Sequence, residues 1–462
     1  MSNINWVREE LKNIRIDDGR IVNRAISVVK SLASTPGESI PKACGESKKI
    51  KAAYRLLANE KLTAEKVLES HKNQTIKRID GQKIVLSVQD TTELDYNTLE
   101  GTEGLGPYGG KEDSKGLIMH STLAVSTEGV PYGILGENVW ARNPEERGKS
   151  KKCRKYPIEQ KESYKWLKSM DESREGVPGN IKLVDVCDRD ADLYEFLYKG
   201  VCEEKSFVVR AKHDRLIKET DKKLYRKLEN LPVAGVINID IPRDSRSKLP
   251  PRKAKFNVKF DTVSIIAPQY LPEKYKAIGN LTLHVVMVEE INPPHKKKPI
   301  KWILFTDMEV STLEQAVEKV KWYKHRWKIE RFHYVLKSGC KIEELQFESA
   351  EHLIKAIALH SIIAWKILWF VYEARETPNM SCEVVLEPFE WKMLDCIVNK
   401  KTTPSKTPLS LKDAALFIAK LGGFWGRKGD GTPGAKVLWR GLNELKTLLK
   451  HADIIKNAVI EK

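Results

Sequence analysis

Cysteine is scarce and unpatterned in this chain of 462 residues: there are seven, an odd number, and no C-x-x-C occurs. That argues against a disulfide framework or a zinc site and for a reducing compartment. The stretch MSNINWVREELKN lacks an apolar core, so no secretory leader is expected. Long hydrophobic runs are also missing. The most apolar, AIALHSIIAWKILWFVY (356–372), carries His360 and Lys366 and is short for a bilayer, so it reads as a buried helix. No G-x-x-x-x-G-K-[ST], G-x-S-x-G or H-E-x-x-H is present, which removes the sequence grounds for ATP, for a serine hydrolase elbow and for a zinc protease. GLGPYG (104–109) matches G-x-G-x-x-G but neither follows a strand nor opens a helix, so it reads as a loop. His120, His213, His333 and His360 are scattered rather than clustered.

Acidic residues are outnumbered, 63 Asp+Glu against 80 Lys+Arg, for a net charge of +17 and a pI near 9.3. Such a surplus suits a polyanionic partner, because neutralised phosphates release counterions and the field steers encounter. A membrane surface is polyanionic too, but no basic amphipathic helix or lipidation signal stands out. The length calls for two or three domains. Residues 1–72 read as helical. Within them KACGESKKIKAAYRLL places Lys42, Lys48, Lys49, Lys51 and Arg55 around a helix start, a pattern suited to a phosphate backbone; a solvated face is the plainer alternative.

From Lys83 the texture becomes α/β. KIVLSVQD (83–90) and IKLVDVCD (181–188) are apolar runs that each end in an acid, with LIMHSTLAVS, VPYGIL and SFVVRA as further strands. Residues 215–300 alternate as strands separated by basic, proline-rich loops, the pattern of a β-rich insertion. A single long helix is expected from a capping box at Ser311 and Glu314 to a stop at Gly339. Residues 373–462 return to helix, with a loop GGFWGRKGDGTPGAK.

Asp90 and Asp188 end core strands, where open α/β sheets commonly place their chemistry. Asp also favours turns, so either acid alone is ordinary punctuation. The expected helix adds a third acid. Tyr323, Arg326, Glu330 and Lys337 fall on one stripe at 3.6 residues per turn. Trp322, Trp327, Ile329 and Phe332 would wedge the helix onto the sheet. Three carboxylates without a His/Cys cluster suit a hard cation such as Mg²⁺, which leaves waters for a substrate phosphate. Two such ions per site would activate a water and stabilise the leaving oxygen.

The spacing Y-x2-R-x3-E-x6-K resembles the signature of the IS4 family of transposases. QDTTELDY, VCDRDADLY, FVVRAKH, VEEINPP, KESYKW and LGGFWGRKGDGTPGAKVLWRGL are similar to its Tn5 branch. The resemblance implies an RNase H-like mixed-sheet core over 73–372, carrying the β insertion and flanked by helical domains. Residues 1–72 would bind the terminal inverted repeats; residues 373–462 would dimerise and touch DNA, with Arg427, Lys428, Lys436 and Arg440 facing it. It also implies Asp90, Asp188 and Glu330 as metal-binding catalytic acids, with Mg²⁺ replaceable by Mn²⁺. Tyr323, Arg326, Lys337, Trp302, Arg210, Lys212, His213, Glu162, Lys165 and Trp166 would be DNA-site residues. The family hydrolyses DNA at transposon ends, closes and reopens a hairpin, and joins the 3′-OH to target DNA as a homodimer. No membrane or nucleotide cofactor is implied, and the expected place is the bacterial cytoplasm, on the nucleoid. A structure-selective nuclease on the same core is the alternative enzyme. A silent DNA-binding regulator is the alternative outside enzymes, favoured only by loss of an acid or of the N-terminal domain.

Overall fold

In the computed structural model, residues 6–109, 113–146, 156–219, 223–241, 250–427 and 429–455 are described. Helices α1 (Trp6–Leu11), α2 (Gly19–Ser34), α3 (Ile40–Cys44), α4 (Ser47–Leu57) and α5 (Ala64–Ile79) come first. Side-chain caps set several of their starts: Asp18, Ser39 and Thr63 each accept a hydrogen bond from a first-turn N–H. Strands β1 (Ile84–Asp95), β2 (Gly116–Val125) and β3 (Pro131–Trp140) follow. Next come α6 (Tyr164–Glu172), β4 (Lys182–Cys187), α7 (Tyr194–Cys202), β5 (Phe207–Arg210) and α8 (Leu224–Asn230). Strands β6 (Gly235–Ile241), β7 (Arg252–Ile265), β8 (Leu281–Ile291) and β9 (Lys301–Thr306) precede α9 (Leu313–Lys324) and α10 (Trp327–Tyr334). A π-helical turn (Val335–Gly339) leads to α11 (Ala350–Glu376), α12 (Pro388–Asn399), α13 (Leu411–Leu421) and α14 (Ala435–Ile455).

The chain divides into two compact units, and their limits cut across the divisions expected from sequence. The first comprises Met1–Asp80, Thr91–Arg147 and Lys328–Lys462; the second comprises Gly81–Asp90 and Gly148–Trp327. Helix α5 also runs past residue 72, to Ile79. In the first unit the strand order is β3-β2-β1, with β2 and β3 antiparallel. Helix α11 is long and apolar enough to cross a membrane, but 83% of its most apolar window is buried inside the protein. It is the expected core helix. Its C-terminal part packs with α12, α13 and α14 around Phe370, Trp391, Leu411 and Ile418.

In the second unit the order is β1-β4-β5-β9-β8-β7-β6. Strands β1, β4 and β5 are parallel, and β9 onward pair antiparallel. The β-rich insertion is therefore not a separate layer: its strands continue the sheet through β9. Strand β1 belongs to both units, changing at Asp90. The order β3-β2-β1-β4-β5 is that of an RNase H-like core, in a mixed α/β chain with helical termini.

Candidate active site

Strands β1 and β4 pair in parallel up to Val88 and Val186, and Asp90 and Asp188 each stand two residues further on. The strand does not end at Asp90, as the apolar run suggested; pairing carries β1 on to Asp95. Asp188 does follow its strand directly. It caps a short turn, its Oδ1 accepting from the Asp190 N–H at 2.8 Å. Burial raises the Asp188 pKa, and the nearby Asp190 charge adds to this, whereas that hydrogen bond, Arg326 and Lys212 oppose it. Arg326 Nη1 donates to Asp90 Oδ2 at 3.2 Å, with Arg326 only 8% exposed.

The single helix expected over 311–339 is broken. The capping box lies one residue later, at Thr312 and Gln315, because Gln315 Oε1 accepts from the Thr312 N–H while Thr312 Oγ1 accepts from the Gln315 N–H. The α-helical ladder then tightens: His325 and Arg326 donate three residues back, to Trp322 and Tyr323. Helix α10 resumes at Trp327, so the four signature residues do not share one straight stripe. Trp322, Ile329 and Phe332 are buried as expected, but Trp327 is 49% exposed.

In the second unit Tyr323 is buried beside Trp302, ring centroids 5.3 Å apart. Trp302, half-buried, also stacks on Phe256. Arg210 donates to the Lys301 carbonyl at 2.9 Å, and burial raises the Tyr323 pKa while the charges of Arg326 and Arg210 oppose the rise. Lys212 donates to Asp190 Oδ1 at 2.8 Å, and the His213 N–H donates to Asp192 Oδ2. Glu162 and Lys165 pair at 3.3 Å near the start of α6. Trp166 is a core residue, 2% exposed, with no face available to DNA.

Glu330, half-buried in the first turn of α10, and Lys337 belong to the first unit. Lys337 Nζ donates to the Glu93 carbonyl at 2.7 Å and pairs with Glu343 at 2.9 Å. Lys42, Lys48, Lys49, Lys51 and Arg55 are all exposed on α3 and α4, as are Arg427, Lys436 and Arg440 near the C-terminus. Lys428 lies outside the described residues.

Among the described residues no three His, Cys, Asp or Glu side chains form a group able to hold a metal ion. The donor chemistry around Asp90 and Asp188 nevertheless suits an oxygen-seeking cation. Cys187, next to Asp188, is fully buried, and burial keeps its thiol protonated well above the usual range, with Asp185, Asp188 and Asp90 reinforcing this. Carboxylate oxygens are what remains, the ligands Mg²⁺ prefers.

Residues 3–62 match the family model of the transposase DNA-binding domain, and residues 362–458 match that of the Tn5 transposase dimerisation domain. Both matched models describe domains of Tn5-type transposases, one at each end of the chain. Among solved structures it is similar to a piggyBac transposase synaptic complex with hairpin DNA, at 12% identity and a TM-score of 0.36. That match covers 81% of this chain and 66% of the other, just under two thirds. The segment that matches the DNA-binding model spans α1 to α4, and the segment that matches the dimerisation model opens within α11 and takes in α12, α13 and α14. Sequence reasoning missed the polar groups behind the aspartates, buried Gln89 and Asp185 with half-buried Arg174. The one available signal was their polarity inside apolar runs, as in SVQD and VDVCD.

Proposed function

We propose that this protein is a transposase that cuts and pastes DNA by metal-dependent hydrolysis, binding terminal inverted repeats through its N-terminal segment and acting as a homodimer. The observation that carries the reading is the pair Asp90 and Asp188, placed equally far beyond the last paired residues of two adjacent parallel strands. In this reading Asp90, Asp188 and Glu330 hold Mg²⁺; Glu330 is assigned from its spacing to Tyr323, Arg326 and Lys337. When bound, the metal supplies an acidified water and neutralises charge on the phosphate. Arg326 holds Asp90 in place, and the guanidinium of Arg326 and the ammonium of Lys337 offer charge to a phosphate. Exposed lysines on α3 and α4 supply affinity rather than chemistry. Hairpin closure and joining of the 3′-OH to target DNA belong to the same proposal.

The test separates cutting from binding. Asp90→Ala, Asp188→Ala and Glu330→Ala should each abolish Mg²⁺-dependent nicking of transposon-end DNA and leave end binding in a gel-shift assay largely intact. A variant that nicks at the wild-type rate removes that residue from the site.

A further inference from the structure

Next to the two aspartates, on β1 and β4, lies a second polar cluster that the chemistry does not use. Ser87, Gln89 and Asp185 are completely buried. Gln89 Nε2 donates to Asp185 Oδ1 at 2.7 Å across the β1–β4 pair. Arg174, just after α6, pairs with Asp185 Oδ2 at 2.7 Å. Its two terminal nitrogens also donate to the carbonyls of Met170 and Leu183, at 2.7 and 3.2 Å. Adjacent strand residues point to opposite faces, so Gln89 faces away from Asp90.

A buried ion pair is an expensive way to fill a core, since apolar side chains of similar size stabilise as well or better. The surroundings sharpen the point. Val85, Leu86 and Val88 run beside Val184 and Val186, all fully buried. Such aliphatic neighbours are nearly interchangeable and specify register weakly. A slip of one residue would carry Asp90 to the opposite face of the sheet. Gln89–Asp185 is a directional contact between these two strands, and Arg174 anchors its acceptor to the end of α6 and to β4 itself.

We propose that Gln89, Asp185 and Arg174 are positioning residues that lock β1 against β4 in the register that sets Asp90 beside Asp188. The proposal rests on the reading of those aspartates as the catalytic pair. In the full-length protein, Gln89→Leu should slow nicking of end DNA at least tenfold at saturating DNA. Its dissociation constant for end DNA should stay within about twofold of wild type, and hydrogen exchange should quicken in peptides covering 84–90 and 182–187. Exchanging the two groups, with Gln89→Glu and Asp185→Asn together, keeps one amide, one carboxylate and the same charge across the strands. It should recover at least threefold of the lost rate.

The proposal is overturned if Gln89→Leu nicks like wild type. It is equally overturned if nicking, end binding and melting temperature fall together and the exchanged pair restores nothing, since that is a purely structural role. Asp90→Ala is the control. If that variant still nicks, the catalytic reading itself has failed, whatever Gln89 does.

Discussion

Glu10 in the first unit and Asp188 in the second are both carboxylates withdrawn from water, and their surroundings treat them oppositely. Glu10 on α1 meets His71 Nδ1 at 2.7 Å and Arg78 Nη1 at 2.6 Å, both on α5. Burial alone would raise its pKa, but the charges and hydrogen bonds of His71 and Arg78 win, and the value falls to about 2. His71 Nε2 in turn takes the Ile134 N–H at 3.0 Å, and Arg78 Nε donates to the Tyr132 carbonyl. Asp188 has no comparable excess of partners: burial prevails and its ionised form is disfavoured. A charge whose task is to hold helices together is over-compensated. A charge proposed to meet a metal is kept short of compensation, at some expense of stability.

Replacing each acid by its amide breaks this comparison most directly. Asp188→Asn should reduce nicking by a factor of 10³ or more, about 4 kcal/mol of transition-state stabilisation. It should not lower the melting temperature, because it removes a charge that burial disfavours. A cleavage-competent Asp188→Asn, or one that melts well below wild type, ends the argument for that residue.

Glu10→Gln should do the reverse. It leaves Arg78 without its anion and gives His71 a neutral acceptor, at about 3 kcal/mol for a broken buried pair, and should loosen α1 from α5 while leaving chemistry at bound ends unchanged. The pH dependence has a definite sign. The folded pKa of about 2 lies below the ordinary 4.5, so Glu10 contributes stability above pH 4.5 that is lost as pH falls toward 2. Hydrogen exchange of the α1 and α5 peptides should therefore steepen across that window in the wild type and stay flat in Glu10→Gln. Equal profiles would show that the pair holds nothing.

How far sequence could see follows from the separation of the partners. Asp90 and Asp188 were legible because each closes an apolar run in its own stretch of chain. The Glu10 network was not, since its members lie 61 and 68 residues apart and none sits in a motif. The helix break at His325 and Arg326 was also invisible: no glycine or proline marks YKHRWKIERF, and Arg326 is committed to Asp90, 236 residues away in sequence. Burial likewise divides residues that look alike. Trp166 and Trp302 each sit beside a lysine, yet one fills a core and the other is only half covered.

Trp302 gives the next smaller effect. Packed against Phe256 and Tyr323 but half open, it offers a surface on which an unpaired base could stack, a contact worth roughly 1–3 kcal/mol. Trp302→Ala should permit the first nick and slow hairpin closure about tenfold, the equivalent of ~1.4 kcal/mol. Trp302→Phe should recover part of this. If both steps slow equally and the protein melts early, Trp302 is core and the stacking role fails.

Lys366 tests the first unit's side of the comparison with the smallest change. Its ammonium lies 3.8 Å from the Trp369 ring centroid and 5.7 Å from that of Trp6, and it donates to the Val384 carbonyl at 3.4 Å. Burial pulls its pKa down to about 7; Glu10 and Glu373 resist and Arg78 assists. Because the folded value lies below the ordinary 10.5, the unfolded chain binds the proton more readily between pH 7 and 10.5. Stability from this group therefore rises with pH across that window and is at its lowest below it. The ring contacts favour the charged form by about 0.5–2 kcal/mol, which caps the effect. Lys366→Met should keep the packing, flatten the rise and gain about 1 kcal/mol at pH 6, read from denaturant midpoints at pH 6 and pH 9. If Lys366→Met is instead destabilised at pH 6, the ring and carbonyl contacts outweigh the burial of the charge. Lys366 would then join Glu10 as a compensated structural ion.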